Sequence, residues 1–313
     1  MAGETLQVYF LGTAGALPTV HRNPACFVIR RGSDTLLFDC GEGAQQQMMR
    51  AQTGFGVDAV FITHWHADHF LGLFGLVQTM AFNGREAPLP LYGPDGVGEI
   101  VHIIEHLSTA TMKFPVIGHV LRPGDEVAFD GYRVRAFATR HGMQSLGFVL
   151  MEDGRPGRFD REGAIALGVR PGPLFGRLQR GETVTVSVNG EEREIRPEQV
   201  LGPARPGRSV AYTGDTRFVD LLRAGVPRGV DLLIHDATYD DADRERAAEV
   251  HHATAGEAGE AATRVGARRL ALVHLSSRYP STAGHLRDAT NAFSGEVLVP
   301  DDLVMIEIPF QDR

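Results

Sequence analysis

Thr63-His64-Trp65-His66-Ala67-Asp68-His69 follows directly on the apolar, β-prone run Val60-Phe61-Ile62. A buried strand therefore runs into a turn that carries three histidines and an aspartate within six residues. Such a turn can aim several imidazoles at one point. Imidazole and carboxylate together suit zinc, and also manganese or iron.

Outward from this turn, short apolar runs alternate with helical patterns. Upstream, residues 6–11 read as a strand, followed by the glycine-rich turn Gly12-Thr13-Ala14-Gly15-Ala16. That turn has neither a P-loop lysine nor a G-x-G-x-x-G, so alone it is a weak phosphate-loop signal. Residues 26–30 and 35–39 read as strands joined by a turn at Gly32-Ser33-Asp34, and 44–51 as a helix. Downstream, helices are expected at 70–81 and 97–107, with strands at 89–94, around Val120, and at 127–129, 132–137 and 147–151. Later strands are expected at 209–212, 230–234, 270–273 and 297–299, with helices at 255–265 and 283–293 and a last apolar run at 303–308. Strands alternating with helices imply layered α/β packing.

With 313 residues, 43% hydrophobic and 22% charged, the composition is that of an ordinary globular protein of one large domain or two small ones. No apolar run is long enough to span a membrane. Met1-Ala2-Gly3-Glu4-Thr5 lacks the basic start and apolar core of a signal peptide, and the expected location is the cytoplasm. Cys26 and Cys40, the two cysteines, have no zinc-site spacing and read as small buried residues. The net charge of −8 argues against nonspecific nucleic-acid binding, although distribution matters more than the sum. Lys113 is the only lysine; arginine offers planar, bidentate contacts to phosphate, but biased base composition of the gene accounts for most of this preference.

The composition shifts between residues 154 and 181. This stretch is rich in glycine, proline and arginine, and its six arginines (155, 158, 161, 170, 177, 180) face only Asp160 and Glu162. It reads as an excursion from the domain: either a solvated surface insertion or an arm that holds a polyanion.

One event recurs along the chain. An apolar strand ends and a ligand-type residue follows, at His64, His141, Asp215 and His274. Together with His66, Asp68 and His69 these make seven candidate ligands. One zinc needs three protein ligands and an open position, so seven suffice for two metals sharing a carboxylate, an arrangement that favours hydrolysis at phosphorus.

On these residues the chain resembles the metallo-β-lactamase-fold hydrolases. Within them it is similar to the ribonuclease Z family, the tRNA 3′-processing endonucleases. H-x-H-x-D-H belongs to the whole superfamily. More specific are Phe10-Leu11-Gly12-Thr13, Pro18-Thr19 with Arg22-Asn23, and Phe38-Asp39-Cys40-Gly41-Glu42-Gly43 with glutamines 45–47. Most specific is Pro171-Gly172-Pro173-Leu174-Phe175-Gly176-Arg177-Leu178, returning through Pro206-Gly207-Arg208, which resembles the flexible exosite arm of the family's short form.

The resemblance implies one metallo-β-lactamase domain over 1–313, an αββα sandwich, with a tRNA-binding arm inserted at about 152–208. It implies two Zn2+ per subunit, with Mn2+ as a substitute. His64, His66 and His141 would hold one metal and Asp68, His69 and His274 the other, with Asp215 bridging. Asp68 would also orient or deprotonate the attacking water. His252 would protonate the leaving 3′ oxygen; Ala253 replaces the family's serine beside it, and Asp236 replaces a glutamate, with a shorter reach toward His252. Arg22, Asn23, Arg155, Arg158, Arg170, Arg177 and Arg180 would contact RNA. Precursor tRNA is the implied substrate, and a homodimer with the arm acting in trans the implied assembly. Two alternatives remain at this point: a small-molecule phosphodiesterase of the same fold, and a metal-dependent RNA-binding protein without turnover.

Overall fold

In the computed structural model, residues 4–106 and 112–311 are described. Met1, Ala2, Gly3 and Leu107, to which some expectations above extend, lie outside them. The chain divides into two units, one of Met1–Met151 and Arg208–Pro309, the other of Glu152–Gly207 and Phe310–Arg313.

The first unit is built on two seven-stranded sheets. One holds β1 (Leu6–Gly12), β2 (Cys26–Arg31), β3 (Asp34–Cys40), β4 (Ala59–Phe61), β5 (Leu89–Gly93) and β6 (Val116–Val120). The other holds β7 (Glu126–Phe129), β8 (Tyr132–Ala138), β9 (Leu146–Glu152), β10 (Ser209–Tyr212), β11 (Leu232–Asp236), β12 (Arg269–Val273) and β13 (Glu296–Leu298). The last strand, β14 (Met305–Glu307), returns to the first sheet and pairs antiparallel with β1.

Side-chain alternation explains the layering. Leu6, Val8 and Phe10 of β1 point to a core shared with Phe38, Phe61, Phe148, Leu232 and Ile234, so this face lies between the sheets. Leu11, Leu37 and Val60 point the other way, against α1 (Ala44–Arg50), α3 (Gly72–Phe82) and α4 (Val97–His106), which follow the short α2 (Ala67–Phe70). Strands buried on both faces read as unbroken apolar runs. On the second sheet, Leu233, Leu270 and Leu272 pack against the alanine-rich helix Ala255–Val265. Helix, sheet, sheet and helix form the αββα sandwich of an α/β fold.

Two expected elements are shifted. The chain turns helical at Ala67 rather than at 70, with His66 as the N-cap residue, so Asp68 and His69 sit in a helical first turn. Leu71 then separates α2 from α3, where a side chain on Gly72 would strike the backbone of Gly41. The strand expected at 230–234 is Leu232–Asp236, because its pairing with β10 begins at Val210 and Leu232. His235 and Asp236 therefore lie within the strand, and Asp231 instead accepts a hydrogen bond from Ser209 N at 2.9 Å.

The second unit has a core of its own, made by Ala164, Val169, Leu178, Val184, Val186, Ile195 and Val200. It contains α5 (Arg161–Ala166), capped by Asp160, and α6 (Pro173–Gln179), which opens on Pro173. A hairpin follows, Val184–Val188 with Glu191–Ile195, turning at Asn189 and Gly190, both at positive φ as a two-residue turn of this hand requires. The glycine- and arginine-rich composition gave no sign of this hairpin. Nine arginines meet nine acidic residues over Glu152–Gly207, so the positive excess is confined to its first half.

Candidate metal centre

The functional residues gather where strands of both sheets end. β4 leads into His64, His66, Asp68 and His69; β8 leads into His141, β10 into Asp215 and β12 into His274. Each lies in the first unit. His64, His69, Asp215 and His274 are buried, whereas His66 is exposed, so the cluster opens to solvent on the His66 side.

All seven predicted ligands meet, in two groups. His64, His66, His141 and Asp215 form one, and Asp68, His69 and His274 the other; donor atoms within each lie within 4.8 Å of one another. His64 Nε2 and His141 Nε2 are 3.0 and 3.1 Å from His66 Nδ1. They lie 3.6 and 3.8 Å from Asp215 Oδ2. The other oxygen, Asp215 Oδ1, is 3.3 Å from both His69 Nε2 and His274 Nε2. Asp68 Oδ2 completes that side, 3.6 Å from His69 Nε2 and 3.3 Å from His274 Nε2. The two oxygens of Asp215 thus face different groups, as a bridging carboxylate would.

The donors fit a cation. Ligands about 2.0–2.1 Å from a tetrahedral ion stand about 3.3 Å from each other, close to the spacings here. His69 Nε2 and Asp215 Oδ1 are buried and make no hydrogen bond, a costly arrangement unless an ion completes them. The opposite ring nitrogens are occupied, which fixes the rings. His69 Nδ1 pairs with Asp39 Oδ2 at 2.7 Å, His64 Nδ1 with Thr63 Oγ1 at 2.9 Å, and His141 Nδ1 donates to His251 O at 3.0 Å.

Asp39 is a site residue that its sequence position did not reveal. It is fully buried at the end of an apolar strand, at a left-handed φ of 53°. Besides His69 it accepts from Tyr212 OH at 2.7 Å, from Thr63 N at 2.8 Å and from Thr63 Oγ1. Its place in Phe38-Asp39-Cys40-Gly41-Glu42-Gly43, directly after an apolar run, was the available signal, without the role. Ala16, His251 and His274 also hold left-handed backbone, which non-glycine residues adopt only where the surroundings dictate it. Ala16 N donates to Asp68 Oδ2 at 3.0 Å. Gly214, at φ 58°, brings its backbone so close to Thr63 that a Cβ would lie 2.7 Å from that side chain.

Burial lowers the pKa of His64 and His141 and favours their neutral, ligating forms. Burial alone would raise the carboxyl of Asp68, but the hydrogen bond to His274 and the imidazoles around it hold it well below the usual range. His252 stands beside the cluster. Its Nδ1 is 2.9 Å from Asp236 Oδ2 and 4.0 Å from Asp215 Oδ2. Burial alone would depress this imidazolium; Asp236 overrides that and pushes its pKa up to about 9.

The expected RNA-contact residues are dispersed. Arg22 donates to Thr13 Oγ1 and, at 2.6 Å, to Pro300 O, and it pairs with Asp301. Asn23 donates through N and Nδ2 to Asp302 Oδ2 at 2.7 and 3.1 Å. Both side chains hold the loop after β1 to the C-terminal segment. In the second unit Arg155 stacks on the Phe310 ring, Arg177 and Arg180 pair with Glu182, and Arg158 and Arg170 are exposed.

Comparison with known proteins agrees with this architecture. The Metallo-beta-lactamase superfamily model matches residues 21–154, and a Beta-lactamase superfamily domain model matches residues 182–275. The chain is 48% identical over 309 residues to a Ribonuclease Z of Methanosarcina acetivorans, covering 98% of this chain and 99% of that one. It is 50% identical over 311 residues to a Ribonuclease Z of Halorubrum lacusprofundi, with the same coverage. Among solved structures it is similar to human tRNase Z, short form, with a TM-score of 0.70 and 27% identity over 97% of this chain and 100% of that one.

Proposed function

Because the chain belongs to the ribonuclease Z family of the metallo-beta-lactamase superfamily, we propose that it is the hydrolase that cuts 3′ trailers from precursor tRNA, leaving a 3′-hydroxyl on the tRNA. The observation that carries this reading is the pairing of a two-group donor cluster with His252, a histidine held by a buried carboxylate beside it.

We assign two divalent metals to the cluster, zinc by the family resemblance with Mn2+ as a substitute; its imidazole and carboxylate donors suit both. His64, His66 and His141 would hold one, Asp68, His69 and His274 the other, and Asp215, whose two oxygens face the two groups, would be shared between them. Metals held there supply the Lewis acidity that makes water a nucleophile at neutral pH and offsets charge on phosphoryl oxygens. The chain's own residues do the rest. Asp68, kept ionised by its neighbours and fixed by Ala16 N, would orient or deprotonate the attacking water. His252 carries a proton at Nε2 while Nδ1 is held by Asp236, and it donates that proton to the leaving 3′ oxygen. An alkoxide leaves poorly, so this proton supports the cut.

The second unit is assigned to the tRNA. A folded tRNA is recognised largely through shape and backbone, and the exposed Arg158, Arg170, Arg177 and Arg180 suit phosphate. We further infer a homodimer in which this unit serves the partner's active site, and, from the substrate, a cytoplasmic setting. Among the described residues no helix is long and apolar enough to cross a membrane.

Assaying the metal-loaded protein in parallel on a precursor tRNA and on bis(p-nitrophenyl) phosphate separates the readings. Efficient tRNA cleavage supports the endonuclease. Turnover of the small diester alone favours a small-molecule phosphodiesterase, and tight tRNA binding without cleavage favours a binding protein.

A further inference from the structure

The Asp236 carboxylate makes more contacts than its role beside His252 needs. Its Oδ2 accepts from His252 Nδ1 at 2.9 Å and from Thr216 N at 3.0 Å. Its Oδ1 accepts from Thr238 N at 2.9 Å and from Thr238 Oγ1 at 2.7 Å. Thr238, buried two residues past the end of β11, has a single hydroxyl proton, and the contact to Asp236 uses it. The hydroxyl oxygen is then an acceptor toward its other two neighbours. His274 Nδ1 lies 2.8 Å away and His252 Nδ1 3.1 Å away. The two imidazoles stack, with centroids 5.1 Å apart and planes 18° apart. Thr238 Oγ1 sits at the shared edge of that stack.

We propose that Thr238 is a positioning residue: one buried carboxylate holds the proton donor His252 directly and, through the Thr238 hydroxyl, the ligand His274, with the hydroxyl oxygen lying against both rings. With Nδ1–H donated to Thr238, His274 presents Nε2 to Asp68 and Asp215. The first sheet repeats the device. Asp39 holds His69 directly and, through the Thr63 hydroxyl, His64. On that side both histidines are ligands. On the Asp236 side the hydroxyl couples a ligand to a proton donor, so a change there acts on two properties that are otherwise separable. The role assigned to His252 rests on the endonuclease reading; the tie to His274 does not.

The test uses the full-length protein with Thr238→Val, Thr238→Ala and Thr238→Ser. Zinc affinity is measured by competition with a chromophoric chelator, and kcat and KM on precursor tRNA with every variant metal-saturated. Without the hydroxyl, His274 Nδ1–H loses its acceptor. Zinc affinity is expected to fall about 10–100-fold in the valine and alanine variants, the range seen when such outer partners are removed. kcat should fall at least about tenfold with KM little changed, and serine should restore both. In a His252→Ala background the valine change should still weaken zinc binding, while its effect on kcat shrinks. A folded valine or alanine variant with wild-type zinc affinity overturns the proposal, as does a serine variant as impaired as alanine. If the wild-type protein binds zinc but cuts no tRNA, the endonuclease reading fails while the zinc measurements still decide the role of Thr238.

Discussion

Asp236 Oδ2 lies 2.9 Å from His252 Nδ1, although an aspartate reaches one methylene less far than the glutamate of the related motif. The reach is met because Asp236 is the last residue of β11 and Ala253 brings its backbone N to within 3.4 Å of the same oxygen. His252 N is tied in turn to Ala247 O at 2.9 Å. His252→Ala is therefore expected to lower kcat by about 10²–10⁴ while the zinc content, measured by atomic absorption, stays at the wild-type value. A variant with unchanged kcat would remove His252 from the reaction.

The pKa of His252, pushed up to about 9 by Asp236, sets a direction for the pH profile. The donor must be protonated, so kcat should hold below that pKa and fall above it. Asp236→Asn removes the strongest influence raising it, so that burial weighs more against the remaining Asp215 and the pKa falls. The alkaline limb should then move to lower pH in a kcat-against-pH titration, and a limb that stays in place would detach Asp236 from His252.

Asp39 touches no substrate, yet it holds His69 directly and His64 through Thr63. Asp39→Asn keeps the volume but puts an amide against the Nδ1–H of His69. Zinc affinity should drop about 10–100-fold, read by chelator competition, without a large change in KM for tRNA. Tyr212→Phe removes one of the bonds to that carboxylate and should have a smaller effect of the same sign.

The ends of the inserted unit pair with each other. Arg155 N donates to Arg205 O at 2.7 Å and Arg205 N to Arg155 O at 2.9 Å. Excision from Gly154 to Pro206 with a short glycine linker is thus expected to leave the metal centre intact. Removing only 154–181 would instead split the small core at Leu178 and Val184. The excised protein should hydrolyse bis(p-nitrophenyl) phosphate at near wild-type rate and lose tRNA cleavage. Equal loss of both activities would argue against the unit as a tRNA grip.

Trp65 is the only tryptophan and stands between His64 and His66, its Nε1 donating to Asp95 O at 2.8 Å. Zinc titrated into chelator-treated protein should change its fluorescence in step with binding. His64→Ala should abolish most of that change, and a full response in that variant would place the metal elsewhere.

Much of the candidate site was legible because its donor residues are compressed in sequence. His64, His66, Asp68 and His69 fall in one turn, and His141, Asp215 and His274 each follow an apolar run, which marks the same end of a strand. Asp39 and Thr238 were not legible in their roles. A buried carboxylate or hydroxyl is recognised by what it meets in space, and Tyr212, Thr63 and His274 lie far from their partners in sequence or in pattern. The helix boundary slipped at the donor cluster: α2 starts inside the motif, and from its short helical turn His69 faces Asp215. The hairpin at 184–195 carried its own signal, Val184, Val186 and Val188 alternating with Thr185 and Ser187 ahead of Asn189-Gly190, and it went unread because this part of the chain was judged by composition rather than by period.

The most direct measurement incubates the zinc-loaded protein with a precursor tRNA bearing a 3′ trailer, with and without chelator, and maps the product ends. A chelator-sensitive cut near the discriminator base, leaving a 3′-hydroxyl on the tRNA and a 5′-phosphate on the trailer, is the predicted result. An intact precursor alongside brisk turnover of bis(p-nitrophenyl) phosphate would contradict the assignment and leave a phosphodiesterase of small substrates.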